Sequence, residues 1–121
     1  MSVFEKLAPV VGFELRASAA QGAGLTVNGA EFIVGELDEA IVQIDVTVLG
    51  AGAQLSVALQ TRASAAGPWH TVINYNPRNA VGSAPIQTVT AGLGPRIRLR
   101  SITNAAGAVT WSAQLTGKAK S

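Results

Sequence analysis

Short runs of alternating apolar and polar residues recur along the chain. The strongest run covers residues 40–49, in which four branched aliphatic residues are separated by polar ones: Val42, Ile44, Val46 and Val48. Successive side chains of a β-strand point to opposite faces of a sheet. This spacing therefore predicts a strand with one buried face and one solvent-facing side.

Eight further segments are predicted as strands. Four alternate clearly, at residues 13–18, 55–61, 96–100 and 109–115. Four are weaker, at residues 24–27, 31–34, 69–74 and 86–90. The segment at residues 13–18 places Phe13, Leu15 and Ala17 together on the buried face.

Turn sequences rich in Gly, Asn and Pro separate these runs, and no segment keeps a helical period. At most one helical turn is expected, at residues 36–41. Short strands at regular spacing, each with one polar face, are typical of antiparallel sheets packed face to face. The sequence therefore predicts an all-β protein, a single antiparallel β-sandwich of the jelly-roll type with seven to nine short strands.

The first twelve residues fit this pattern less well. They carry the apolar residues Val3, Phe4 and Leu7 without a clear period, followed by Pro9. Exposed apolar residues commonly mark a contact with another chain. Residues 1–12 are therefore expected to form either a first strand or an N-terminal arm that docks on a neighbouring subunit. Residues 13–121 form the predicted β-sandwich domain.

Composition narrows the function classes. The chain has 121 residues, of which 48% are hydrophobic and 13% charged, enough for one folded domain and unlike a disordered chain. It has no cysteine and a single histidine, His70, so thiolate and multi-histidine metal sites within one chain are excluded. No signal sequence or continuous apolar span is recognisable, so a soluble protein made in a cytoplasm, without a membrane partner, is expected.

Candidate catalytic groups are few. His70 is predicted to lie exposed on a strand, without a nucleophile or an orienting acid in view. The acidic residues Glu36, Asp38 and Glu39 lie close together, but their spacing lacks the pattern of a calcium loop, and they are predicted to form a solvated turn. The sequence thus predicts a non-enzymatic protein that needs no metal and no other cofactor.

The most distinctive charge pattern is a row of arginines. Arg96, Arg98 and Arg100 alternate with Ile97 and Leu99, so all three are expected on one face of a strand. Such a row can be a solvated or edge face, a protein contact, or a site for nucleic-acid phosphates. Nucleic acid is the least favoured, because no aromatic residues are interleaved with the arginines.

The aromatic residues bear on a possible sugar-binding site. Trp111 alternates with apolar residues of its strand and is predicted to be buried in the core. Trp69 follows Gly67-Pro68 and is expected to plug one end of the sandwich. Only Tyr75 is expected to be exposed, and a single ring is little support for a carbohydrate-binding platform.

One pentapeptide occurs twice. The sequence Arg-Ala-Ser-Ala-Ala lies at residues 16–20 and again at residues 62–66, each time near the predicted end of a strand. The flanking residues do not match, and the chain is rich in alanine. Coincidence therefore explains the repeat better than a duplicated half-sandwich.

Several segments together resemble a known group of proteins. The segments are the Leu-x-Val-x-Leu-Gln-Thr strand at residues 55–61, Ala-Ala-Gly-Pro-Trp at residues 65–69, Gly-Leu-Gly at residues 92–94, the arginine strand and Val-Thr-Trp-Ser-Ala at residues 109–113. They resemble the small β-sandwich proteins encoded among the virion structural genes of tailed bacteriophages. The resemblance covers about residues 40–118 and departs at Pro95, where the family usually has an aromatic residue.

The resemblance implies a virion component, most simply a capsid decoration or cement protein that binds the outer capsid surface and reinforces capsomer contacts. The implied partners are the major capsid protein or other virion proteins, in a homo-oligomer or symmetric array, with synthesis in a bacterial host cytoplasm. The expected contact residues are Val3, Phe4, Leu7, Arg96, Arg98 and Arg100. The alternatives are a carbohydrate- or host-surface-binding module of a phage fibre and, less favoured, a nucleic-acid-associated β protein.

Overall fold

The computed structural model describes residues 10–34, 37–75, 77–83, 87–89 and 95–119, and these residues form an all-β structure. They contain no helix, and so none long and apolar enough to cross a membrane. The described strands are β1 (Val10–Gln21), β2 (Thr26–Asn28), β3 (Phe32–Ile33), β4 (Leu37–Leu49), β5 (Leu55–Arg62), β6 (His70–Asn74), β7 (Gly82–Ser83), β8 (Gln87–Val89), β9 (Arg96–Thr103) and β10 (Val109–Ala119).

The strands form two antiparallel sheets. Sheet I has the order β1-β10-β4, with β7 and β8 both along the free side of β4, and sheet II has the order β2-β9-β5-β6, with β3 beside β2 along β9. If β2 and β3 are counted as one interrupted strand, and β7 and β8 as another, the sheets read 1-8-3-6 and 2-7-4-5. This is the strand order of a jelly roll, two Greek keys folded into a double sheet. The predicted sandwich is confirmed.

The core lies between the inner faces of the two sheets. The alternation seen in the sequence accounts for it, because every second residue is buried in four stretches, at residues 40–46 of β4, 55–59 of β5, 97–103 of β9 and 109–117 of β10. The largest fully buried side chains are Trp111, Ile44, Leu55, Leu59, Ile97, Leu115, Val42, Val46 and Val109. Trp111 is 1% exposed, as predicted.

Two predictions of buried side chains are wrong because the strands contain bulges. Thr110 of β10 pairs with Val48 of β4, but the next residue, Trp111, pairs with Val46. Thr47 is therefore an extra residue in β4. The bulge turns Val48 outward, where it is 60% exposed, and lets Leu49 pack against the core. β1 has register shifts on both sides of Arg16, and Ala17 is exposed instead of buried.

Three further expectations need correction or fall outside the described residues. The helical turn expected at residues 36–41 and the acidic turn are replaced from Leu37 onward by β4, which pairs with β10 and β8.

Tyr75 is buried, at 6% exposed, although it was expected to be exposed. Its backbone N–H donates to Val57 O, so Tyr75 continues the pairing of β6 with β5 and its side chain points inward. Residues 10–12 belong to β1, whereas Val3, Phe4 and Leu7 lie outside the described residues.

A buried polar cluster links the two sheets at the end of β1. The Gln21 carbonyl Oε1 accepts hydrogen bonds from Trp111 Nε1 at 3.2 Å and from Ser101 Oγ at 2.8 Å. Gln21 and Trp111 belong to sheet I, whereas Ser101 belongs to β9 of sheet II. Buried polar groups are costly unless they are paired, so this cluster fixes how the edge of one sheet sits on the other.

Candidate interaction face

The outer surface of sheet II carries most of the described arginines. In β9, Ile97 and Leu99 are buried in the core, and the intervening Arg96, Arg98 and Arg100 therefore face outward together. Arg62, at the end of β5, pairs with Arg96 and joins the same surface. We call the surface formed by Arg62, Arg96, Arg98 and Arg100 the arginine face.

One acidic residue neutralises part of this face. Arg62 donates two hydrogen bonds to the Glu31 carboxylate, from Nε at 2.9 Å and from Nη2 at 2.8 Å. Arg96 Nη1 lies 3.4 Å from the same carboxylate. Hydrogen bonding to Arg62 is the main reason that the pKa of Glu31 is lowered, and the same bond raises the pKa of Arg62.

Trp69 lies on the arginine face and does not plug an end of the sandwich. The guanidinium carbons of Arg62 and Arg98 are 4.5 and 4.4 Å from the centroid of its ring. Both distances are within the range of a cation–π interaction, which is strongest for tryptophan. The half-buried indole thus holds two arginine side chains in place.

Arg98 is also fixed by a hydrogen-bonded row across the sheet. Arg98 Nε donates to Gln60 Oε1 at 2.8 Å, and Gln60 Nε2 donates to Thr71 Oγ1 at 3.3 Å. Burial is the main cause of a lowered pKa at Arg98, followed by repulsion from the other arginines. The guanidinium keeps its charge, because arginine remains protonated in proteins.

Two aliphatic residues extend the surface on either side of the arginines. Ile33 pairs with Arg96 and is 69% exposed, and Ile102, two residues beyond Arg100, is 39% exposed. The face thus combines cations, one ordered indole and apolar side chains. This mixture resembles the anchoring regions of protein interfaces, in which tryptophan and arginine are enriched.

The sequence predicted only part of this site. Arg96, Arg98 and Arg100 come together as expected, but Arg62, Glu31 and Trp69 were missed. Extending the alternation of residues 56, 58 and 60 by one step would have placed Arg62 on the outer face. Trp69 could not be placed in this way, because β6 contains a bulge opposite Leu59 and Gln60.

The described residues show little that resembles a catalytic centre. They contain no group of three or more His, Asp or Glu side chains able to hold a metal ion. His70 is exposed, as predicted. The buried Tyr75 hydroxyl has no hydrogen-bond partner among the described residues, and burial raises its pKa. That the protein is not an enzyme stays a prediction.

Comparison with known proteins identifies a shared fold. No family model and no curated protein matches the sequence. Among solved structures, a chain from the infectious bursal disease virus Gt strain matches with a TM-score of 0.55 and 12% identity, covering 94% of this chain and 33% of that one. A chain from the Gx strain matches with a TM-score of 0.57 and 12% identity, covering 92% and 32%.

The protein therefore spans about a third of the length of the viral chains that it matches. At 12% identity, this similarity establishes only the β-sandwich fold. The same fold is present in the matched chains of infectious bursal disease virus. Neither structure is of a tailed bacteriophage, so the narrower resemblance is not tested by them.

Proposed function

We propose that the protein is a non-enzymatic structural component of a virus particle. In this proposal it is a decoration or cement protein, which binds the outer surface of the capsid and reinforces the contacts between capsomers. The observation that carries the proposal is the arginine face, a cationic surface whose side chains are held in place around Trp69.

An ordered cationic face suits docking on an acidic protein surface. Arg62 and Arg98 are already held by Glu31, Gln60 and Trp69, so less side-chain entropy is lost when a partner binds. The excess of arginines over the single carboxylate attracts acidic partners and sets their orientation. Many copies on one particle would multiply a modest affinity through repeated contacts.

The fold and the sequence resemblance support the same proposal. The jelly roll is shared with chains of a virus particle, and several sequence segments resemble small virion proteins of tailed bacteriophages. A bacteriophage origin, a place on the capsid surface and synthesis in a bacterial cytoplasm are proposed on that resemblance. The proposed partners are the major capsid protein or other virion proteins.

The described residues give less support to the alternatives. A carbohydrate platform needs exposed rings, but Trp111 and Tyr75 are buried and Trp69 is covered by arginines. Nucleic-acid binding needs several available cations, but Arg62 and Arg96 share the Glu31 carboxylate. Protein docking remains the function that this surface fits best.

Binding to particles stripped of the protein tests the proposal. Purified wild-type protein should rebind to saturation in a fixed ratio to the major capsid protein. Arg98→Gln, which removes one positive charge from the face, should weaken binding at least tenfold. Thr116→Glu changes the net charge as Arg98→Gln does, but on the exposed side of sheet I, and should bind like the wild type.

The proposal is wrong if the wild type does not rebind. The arginine face is the wrong surface if Arg98→Gln and Thr116→Glu both bind as tightly as the wild type. It is equally wrong if both variants lose binding to the same degree, since that would show only a response to net charge.

A further inference from the structure

The arginine face contains a depression beside Arg100. In the row formed by Arg98, Gln60 and Thr71, the long Gln60 side chain bridges its two neighbours. In the next row the residue at the middle position is Ala58, which pairs with Arg100 on one side and Asn74 on the other. Because alanine is too short to bridge them, a cavity of about 270 Å³ remains above it.

The depression has polar and apolar walls. Arg100 and Ile102 line it from β9, Asn74 and Pro77 line it from the opposite side, and Ser56 and Ala58 of β5 form the strand between them. None of the described residues that line it is acidic. The side chains thus offer one cation, an amide, a hydroxyl and aliphatic carbon.

Arg100 differs from the other arginines of the face because its side chain has no partner within the described part of the chain. Arg62 and Arg96 contact Glu31, and Arg98 contacts Gln60 and Trp69. The Arg100 backbone pairs within the sheet, but its guanidinium makes no hydrogen bond and no ion pair with any described residue. An arginine at the wall of a cavity that lacks acidic groups is complementary to an anion.

We propose that this depression receives the carboxylate of a glutamate side chain from an acidic segment of a partner protein. The planar guanidinium of Arg100 binds the carboxylate in a bidentate manner, and Asn74 and Ser56 supply further donors. Ile102 and Pro77 pack against the methylene groups of the glutamate. A single cation beside polar donors and aliphatic side chains fits a carboxylate on an aliphatic stem better than the phosphates of a nucleic acid, which are bound by several cations.

This inference rests on the proposed function, which supplies the premise that the partner is a protein. It names one anchoring site within the arginine face and the chemical group that the site recognises. The anchoring carboxylate gives specificity, whereas the other arginines give general attraction to an acidic surface.

The test uses the isolated full chain and short capped peptides, observed by the chemical shifts of backbone amides. The probe is acetyl-Leu-Glu-Leu-amide, and acetyl-Leu-Gln-Leu-amide is its uncharged match. We expect the glutamate peptide to shift the amide signals of residues 56, 58, 74 and 102 in a saturable way. The glutamine peptide should bind at least tenfold more weakly.

Ala58→Gln is the decisive variant, because it leaves the charge unchanged. The new side chain fills the depression and can accept from Arg100, as Gln60 does from Arg98, so binding of the glutamate peptide should weaken at least tenfold. Ala63→Gln, the same substitution at an exposed loop position, should bind like the wild type. If Ala58→Gln does not fold, Arg100→Gln serves instead, because it removes the guanidinium and should weaken binding of the glutamate peptide to the same degree.

Three outcomes would overturn the inference. The glutamine peptide could bind as well as the glutamate peptide, the folded Ala58→Gln and Arg100→Gln variants could both bind like the wild type, or inorganic phosphate could shift the same signals at lower concentration than the peptide. Because no virus particle enters this experiment, its failure is distinct from a failure to rebind stripped particles.

Discussion

The guanidinium carbon of Arg98 lies 4.4 Å from the centroid of the Trp69 ring, and Arg62 approaches the same ring to 4.5 Å. Two cations that would otherwise repel each other are thus held against one indole. Glu31 offsets part of the remaining charge through Arg62. The electrostatic order of the arginine face therefore depends on Trp69 and Glu31, neither of which lies on the arginine strand.

Replacement of Trp69 tests this dependence. Trp69→Ala removes both stacking contacts, and we expect the free energy of unfolding to fall by about 1 kcal/mol. Trp69→Phe should recover part of the loss, since phenylalanine interacts more weakly with cations than tryptophan does. Urea unfolding followed by circular dichroism measures both. If Trp69→Ala is as stable as the wild type, the stacking contributes nothing to the fold.

The buried cluster around Gln21 predicts a larger effect. Gln21→Leu keeps most of the volume but leaves Trp111 Nε1 without its acceptor and Ser101 Oγ with only the Val27 carbonyl at 3.4 Å, which should cost about 2–3 kcal/mol. Gln114→Leu is the matched control, because Gln114 is exposed on β10, and should change stability by less than about 0.5 kcal/mol. Similar unfolding midpoints for the two variants would contradict the role of this cluster.

The ion pair of Glu31 predicts a dependence on pH. Its pKa is lower in the folded protein than its usual value of 4.5, so its stabilising contribution is complete above about pH 4.5 and is lost as the pH falls through the folded pKa. The wild type should therefore exceed Glu31→Gln in Tm at pH 7, and the difference should shrink below pH 4.5. If the difference in Tm between the wild type and Glu31→Gln instead grows as the pH falls, the stabilising role of the Glu31 ion pair is contradicted.

Glu14→Gln controls for the removal of one negative charge. Glu14 is exposed on β1 and has no ion pair among the described residues. We expect its replacement to leave Tm close to that of the wild type at pH 7. Equal losses of Tm for Glu14→Gln and Glu31→Gln at this pH would show that the pairing with Arg62 and Arg96 does not matter.

The turn between β4 and β5 requires a glycine at position 52. Gly52 has a φ of +72°, a left-handed conformation that is unfavourable for residues with a Cβ atom, and an added Cβ would lie 3.5 Å from Ala106 Cβ, an ordinary contact. Gly52→Ala should therefore cost about 1–2 kcal/mol through backbone conformation alone. Gly52→Asn should cost less, because asparagine tolerates this conformation. Thermal unfolding distinguishes them, and equal losses would argue against this explanation.

Periodicity predicted every described strand except β7, together with the three arginines of β9, because side chains alternate wherever a strand is regular. It failed at Ala17 and Val48, because a bulge adds a residue to one strand only and depends on the partner strand. The same limit applies to Trp69, whose place beside Arg98 depends on a bulge in β6. Tyr75 was predictable, since it continues the inward positions of that strand.

The repeated pentapeptide shows how strongly the partner strand decides local structure. Residues 16–20 lie within β1, where Arg16, Ala19 and Ala20 pair with β10, whereas in residues 62–66 only Arg62 belongs to a strand and the rest form a loop. Identical residues thus adopt different structures, and the absence of matching flanks fits coincidence. The depression beside Arg100 was equally hidden, because it arises from three strands whose residues are distant in sequence.

The most direct test of the proposed virion role is quantitative mass spectrometry of purified particles of the virus that encodes the chain. Copy number is measured relative to the major capsid protein. The account predicts hundreds of copies per particle, in a simple ratio to the capsid subunits. A handful of copies would indicate a tail or fibre component, and complete absence from the particles would contradict the proposed function.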